Sequence, residues 1–176
     1  DKHAMTPSFS TLIDLFAHNA EAHPNDAALI VDGNPHSHKA LYVAMQRQAA
    51  ALSALGVQQG DRVLVVAGNR IEVLVLLGAV AWLGAMLVPL NLRLSEAELA
   101  QQARDATPTV AVVDSAYEPL WRSAWPGGMP GVRLVVLEPA VWPLISCVGT
   151  APAASVPRCD DAGSGALMLF TAAIEG

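Results

Sequence analysis

The chain has 176 residues, a formal net charge of −6, and 53% hydrophobic against 15% charged residues. That composition excludes a disordered chain, and ten Lys and Arg against sixteen Asp and Glu leave no basic footprint for nucleic acid. Two cysteines, Cys147 and Cys159, exclude a disulfide-rich scaffold, and the length suffices for a hydrophobic core without one.

Asp1–Ala4, ahead of Met5, reads as an expression-tag remnant, which leaves 5–176 for the fold. Phe9, Leu12, Ile13, Leu15 and Phe16 recur at helical spacing and predict an amphipathic helix ending near Ala22, before Pro24. Ala27–Val31 is a short apolar strand. The turn Asp32-Gly33-Asn34-Pro35 predicts a hairpin whose return strand covers Ser37 and His38. Leu41, Met45, Ala49, Leu52 and Leu55 line one face of a helix over Ala40–Leu55, stopped by Gly56.

The pattern then alternates. Arg62–Ala67 is a continuous apolar strand, and Asn69 is placed to cap a helix running to Leu83. From Val73 to Leu92 no residue is charged, which meets the length criterion for a membrane span. Gly84 and Pro89 divide that run into a helix, a glycine stop and a buried strand Ala85–Val88. No basic cluster flanks it, only Arg70, Glu72 and Arg93. No secretory signal is visible, so the expected compartment is the cytoplasm.

Ser95 and Glu98 form a capping box that opens a helix to about Asp105. Strands follow at Thr109–Val113 and Val132–Leu137, with a helical turn over Tyr117–Arg122 and a loop over Trp125–Gly131 between them. Glu138–Gly165 has weak periodicity and reads as an irregular surface stretch. Ala166–Phe170 reads as one more strand. Doubly apolar strands separated by helices predict an α/β fold with a mostly parallel, doubly wound sheet.

Several familiar constellations fail. Gly163-Ser164-Gly165 lacks the third glycine of a dinucleotide fingerprint and precedes a strand, and there is no nucleophile elbow. His36 and His38 have no third ligand nearby and are expected at solvent positions beside a turn. The cysteine spacing fits no zinc or redox motif, and the tryptophans read as core or loop anchors. Thr171-Ala172-Ala173-Ile174-Glu175-Gly176 follows an apolar strand, where small residues let backbone N–H groups approach a phosphate.

Four segments together resemble the N-terminal part of the adenylate-forming acyl-CoA synthetase superfamily. They are Gly60-Asp61-Arg62-Val63 with Asn69, and Leu83-Gly84-Ala85 through Val88-Pro89-Leu90-Asn91. The others are Arg93-Leu94 with Glu98-Leu99, and the helix with Tyr42 before Gly56. The resemblance covers Phe9 to Gly176 and implies that 5–176 is an incomplete N-terminal portion of the family's large domain. It also implies that Phe170-Thr171 approach a phosphate loop, with Thr171, Ala172, Ala173 and Gly176 as its partial, variant form. Ala172, Ala173, Ile174 and Glu175 depart from the usual Ser-Gly-Thr-Thr: the hydroxyls are missing and Glu175 brings negative charge toward a polyanion. Arg93 matches a position from which an arginine reaches the phosphates of coenzyme A in some relatives.

The implied reaction joins a small carboxylic acid to coenzyme A, with ATP and Mg2+, through an acyl-adenylate. The segment alone is expected to be inactive, to hold no cofactor tightly and no metal, and to self-associate through apolar surfaces left uncovered. Two other readings stand beside this one. The first is a non-catalytic module binding a nucleotide or a protein. The second is a flavodoxin-like protein, supported by the alternation alone.

Overall fold

The computed structural model describes residues 9–138, 156–161 and 163–169. Helix α1 spans Leu12–Ala22. Thr11 and Asp14 cap it reciprocally: Thr11 Oγ1 accepts from the Asp14 N–H at 3.3 Å and Asp14 Oδ2 accepts from the Thr11 N–H at 2.8 Å. An antiparallel hairpin follows, β1 (Ala27–Val31) and β2 (Asn34–Ser37). Helix α2 covers His38–Ala54.

The rest is the predicted alternation: β3 (Arg62–Val66), α3 (Ile71–Leu83), β4 (Met86–Pro89), α4 (Glu96–Ala106) and β5 (Val110–Asp114). A 3-10 turn over Ser115–Tyr117, α5 (Glu118–Ala124) and β6 (Arg133–Leu137) complete it. The four strands β3–β6 form one parallel sheet in the order β4-β3-β5-β6. Side chains alternate across it. Val63 and Val65 face a core shared with α1, α2 and α3, whereas Leu64 and Val66 face a second core under α4 and α5. The doubly wound α/β expectation therefore holds.

The uncharged run resolves as expected. Helix α3 ends at Gly84, which adopts φ +68°, and β4 begins two residues later. Among the described residues no helix is long and apolar enough to cross a membrane.

Three local expectations change. The return strand of the hairpin starts earlier, at Asn34, and His38 opens α2 because Ser37 Oγ accepts from the Ala40 N–H at 3.2 Å. His36 is consequently buried, 6% exposed, rather than at a solvent position beside the turn. Asn69 does not cap α3: it is exposed, and the cap position belongs to Arg70, whose side chain is engaged elsewhere. Over Ala166–Phe170 the described residues give one parallel bridge, Leu167 to Leu87, fixed by the Leu87 N–H on Ala166 O and the Met168 N–H on Leu87 O.

The Gly60-Asp61-Arg62 motif closes the amino edge of the sheet. Asp61 accepts from the Gln58 N–H at 2.8 Å. The Arg62 guanidinium donates to Ala106 O at 3.0 Å, Thr107 O at 2.8 Å and Gly60 O at 2.9 Å, so it ties β3 to the carbonyl-rich end of α4. Residues 156–161 lie at the same edge. Trp82 Nε1 donates to Val156 O at 3.0 Å, the Cys159 N–H donates to Trp82 O at 2.8 Å, and Arg158 pairs with Asp14 at 2.9 Å.

Candidate functional site

Parallel α/β sheets bind ligands outside the carboxyl ends of their strands, where the winding reverses. Here β3 is followed by β4 on one side and β5 on the other, so the reversal lies between β3 and β5. An ion cluster occupies that point. Arg70, just after β3, donates to both carboxylate oxygens of Glu72 at 3.2 and 3.0 Å, to Asp114 Oδ2 at 3.0 Å and to Glu138 O at 2.7 Å. Glu72 is 3% exposed and Arg70 15%. The hydrogen bond to Glu72, followed by that to Asp114, raises the Arg70 pKa above the usual guanidinium value against the opposing effect of burial. The cation is thus held by protein carboxylates and is not presented to a ligand. Sequence reading noted Arg70 and Glu72 only as flanks of an apolar run. The signal that could have linked them to Asp114 is that Arg70 and Glu72 follow the carboxyl end of β3 and Asp114 ends the neighbouring parallel strand β5.

Beside the cluster lies an apolar groove of about 460 Å³, between β1, the exposed side of α3 and the ends of β4 and Leu167. Leu29, Val31, Leu74, Leu77, Pro89 and Leu167 contribute to its wall. Leu167 and Leu169 are well exposed, while Met168, on the alternate face, packs into the second core. Because Leu167 pairs parallel to β4, the chain passes Leu169 heading toward this same edge. Phe170 and the predicted phosphate-loop residues Thr171, Ala172, Ala173 and Gly176 lie outside the described residues, as do Cys147 and Trp142.

Arg93 also follows a carboxyl end, that of β4. Its N–H donates to Asn91 Oδ1 at 3.0 Å, an Asx turn that fixes the backbone just before α4. The residue is exposed, and among the described residues its guanidinium makes no ion pair. That suits it to hold a phosphate, in contrast to Arg70. Ser95 and Glu98 then open α4 with the expected capping box. The structure does not bring Arg93 together with Thr171–Gly176 within what it describes. Among the described residues no group of three His, Cys, Asp or Glu side chains is arranged to hold a metal.

The family model for AMP-binding enzymes matches residues 16–172. The 4-coumarate–CoA ligase-like protein 8 of Oryza sativa subsp. japonica is 35% identical over 124 residues, which is 70% of this chain and 20% of that protein. A 2-succinylbenzoate–CoA ligase of Oceanobacillus iheyensis is 30% identical over 100 residues, 56% of this chain and 21% of that protein. The crystal structure of a long-chain-fatty-acid CoA ligase from Rhodopseudomonas palustris superposes with a TM-score of 0.68 at 34% identity, covering 72% of this chain and 32% of that one. The chain therefore spans about a fifth of the length of these curated relatives. The match over residues 16–172, on a parallel sheet with this strand order, makes the chain a member of the AMP-binding enzyme family.

Proposed function

We propose that this chain is the N-terminal part of the large domain of an ATP-dependent acyl-CoA synthetase acting on a small carboxylic acid in the cytoplasm. The observation that carries the reading is the AMP-binding family match over residues 16–172 on a parallel sheet whose winding reverses between β3 and β5. Thr171, Ala172, Ala173 and Gly176 are the candidates for a loop whose main-chain N–H groups bind the phosphates of ATP. Two of the positions are alanines, so main-chain rather than hydroxyl donors carry the contact. Mg2+ supplies charge neutralisation of the phosphates when bound, and the described residues contribute no ligand set to it. Arg93, exposed and free of ion pairs among the described residues, is the candidate for the phosphates of coenzyme A.

In this reading the described part of the chain positions and does not react. Arg62 and Arg70 hold the two ends of β3, so the carboxyl edge of the sheet is fixed before substrates arrive. This segment on its own is expected to be inactive.

The test is carboxylate-dependent exchange of labelled pyrophosphate into ATP by the full-length protein across aliphatic and aromatic acids. Exchange with at least one acid is expected. None across a broad panel overturns the reading in favour of a non-catalytic module. In an active protein, Arg93→Ala should raise the KM for coenzyme A and leave exchange unchanged; an unaltered KM removes Arg93 from the site.

A further inference from the structure

We propose that Asn91 is a positioning residue for Arg93: its side chain locks the turn that carries the guanidinium, so the cation meets the phosphates of coenzyme A on a mount fixed in advance. This rests on Arg93 being the phosphate-binding cation, and it adds a second residue to that site. Burial alternates along residues 90–95. Leu90 is buried in the second core and Leu92 and Leu94 pack against it, while Asn91, Arg93 and Ser95 are exposed. The three leucines anchor the segment, and Arg93, between two of them, is held on its outer side.

Asn91 closes the turn with both of its oxygens. Its main-chain carbonyl accepts from the Leu94 N–H at 3.3 Å, and its Oδ1 accepts from the Arg93 N–H at 3.0 Å. The turn is pinned on either side. The Leu90 N–H donates to Val65 O of β3 at 2.9 Å, and the Ser95 N–H donates to Glu98 Oε2 at 2.8 Å. The bond to Asn91 Oδ1 is the one that takes the N–H of Arg93 itself. Without it that donor turns to water, and the backbone at Arg93 regains the freedom that the turn removes.

The neighbouring carboxylates are disposed to leave Arg93 open. Glu96 and Glu98 follow it closely in sequence, and a hydroxyl holds each of them. Ser123 Oγ donates to Glu96 Oε2 at 2.6 Å, and Ser95 Oγ donates to Glu98 Oε2 at 2.7 Å. Among the described residues neither carboxylate pairs with Arg93. A cation that is exposed, unpaired among the described residues and carried on a fixed turn gives up little backbone freedom when it grips a phosphate.

The experiment measures the KM for coenzyme A, kcat, and hydrogen exchange at the Arg93 amide in the full-length protein, with an acid that supports pyrophosphate exchange. Asn91→Ala should raise KM about fivefold, the loss expected from freeing the backbone of one residue, with kcat within about twofold of the parent. The Arg93 amide should exchange faster in the same variant. Asn91→Ser, whose hydroxyl accepts the same N–H without adding charge, should return KM to within about twofold of the parent. The double variant Asn91→Ala with Arg93→Ala should have the KM of Arg93→Ala alone, because Asn91 then has nothing to position. An unchanged KM in Asn91→Ala beside a raised one in Arg93→Ala overturns the positioning role and leaves Arg93 in the site. Unchanged KM in both, or no activity with any acid, overturns the reading of Arg93 itself and the proposal with it. Losses that multiply in the double variant, or a fall in kcat that Asn91→Ser does not recover, give Asn91 a separate structural role and overturn the proposal.

Discussion

The two ends of β3 are held by arginines with different partners. At the amino edge Arg62 donates only to the described oxygens of Gly60, Ala106 and Thr107, all but one of them main-chain carbonyls. At the carboxyl edge Arg70 holds the carboxylates of Glu72 and Asp114, with one carbonyl added. The first arrangement depends on the fold being formed and on one side chain. The second depends on three charges held together, Glu72 buried and Arg70 and Asp114 each 15% exposed, so that losing one leaves another without its partner. A motif shared with a family of enzymes, Gly60-Asp61-Arg62, therefore turns out to be structural, whereas charge collects at the edge where ligands of parallel sheets bind.

That contrast is open to direct attack. Glu72→Ala leaves the Arg70 cation buried with one carboxylate lost, and should lower unfolding free energy by about 3–5 kcal/mol in urea titrations. Replacing all three, Arg70→Met with Glu72→Leu and Asp114→Asn, should recover most of that loss, because no charge is then left unpaired. Arg62→Ala removes hydrogen bonds from a charged donor and should cost about 2 kcal/mol. Its carbonyl acceptors, at a helix end, regain water as partners. If Arg62→Ala proves the more damaging, the two edges have been ranked wrongly.

The sequence is informative where a residue's role is local. The capping box at Ser95, the stop at Gly84 and the alternation of strands and helices all act within a few residues and were legible. Asn69 misled because cap preference was weighed without the tertiary demand on its neighbour: Arg70 must reach Asp114, 44 residues away, and takes the cap position to do so. His36 misled through a register shift of the hairpin, which exchanges buried and exposed faces. The ion cluster was invisible because Asp114 is 44 residues from Arg70 and meets it only through strand order. Arg93 was singled out by resemblance alone, and the residue is exposed.

A smaller effect is expected from Gly84→Ala. The residue has φ +68°, and a Cβ there would lie 2.6 Å from Cys159 Sγ. The backbone strain alone is worth about 1–2 kcal/mol. The clash should add a loss confined to the amino edge, because Cys159 is anchored to Trp82 and must move. Hydrogen exchange should therefore rise at Cys159 and stay level around Arg70. Equal change at both edges would mean that they are not separable, and the contrast between Arg62 and Arg70 would lose its basis.

The mildest test uses pH. His36 is buried on β2, away from both arginine sites in sequence, and burial pushes its imidazole below the ordinary value of 6.5. The unfolded chain thus binds a proton at a pH where the folded chain resists it. Stability contributed by neutral His36 is present above 6.5 and is lost as pH falls through the depressed folded value. Unfolding free energy should decline as pH falls below about 6.5, and His36→Phe should flatten that decline. A slope unchanged in the His36→Phe variant would assign it to other groups. A slope abolished instead by the combined Arg70→Met, Glu72→Leu and Asp114→Asn replacement would place the acid sensitivity in the carboxyl-edge cluster, and the hairpin would be irrelevant to it.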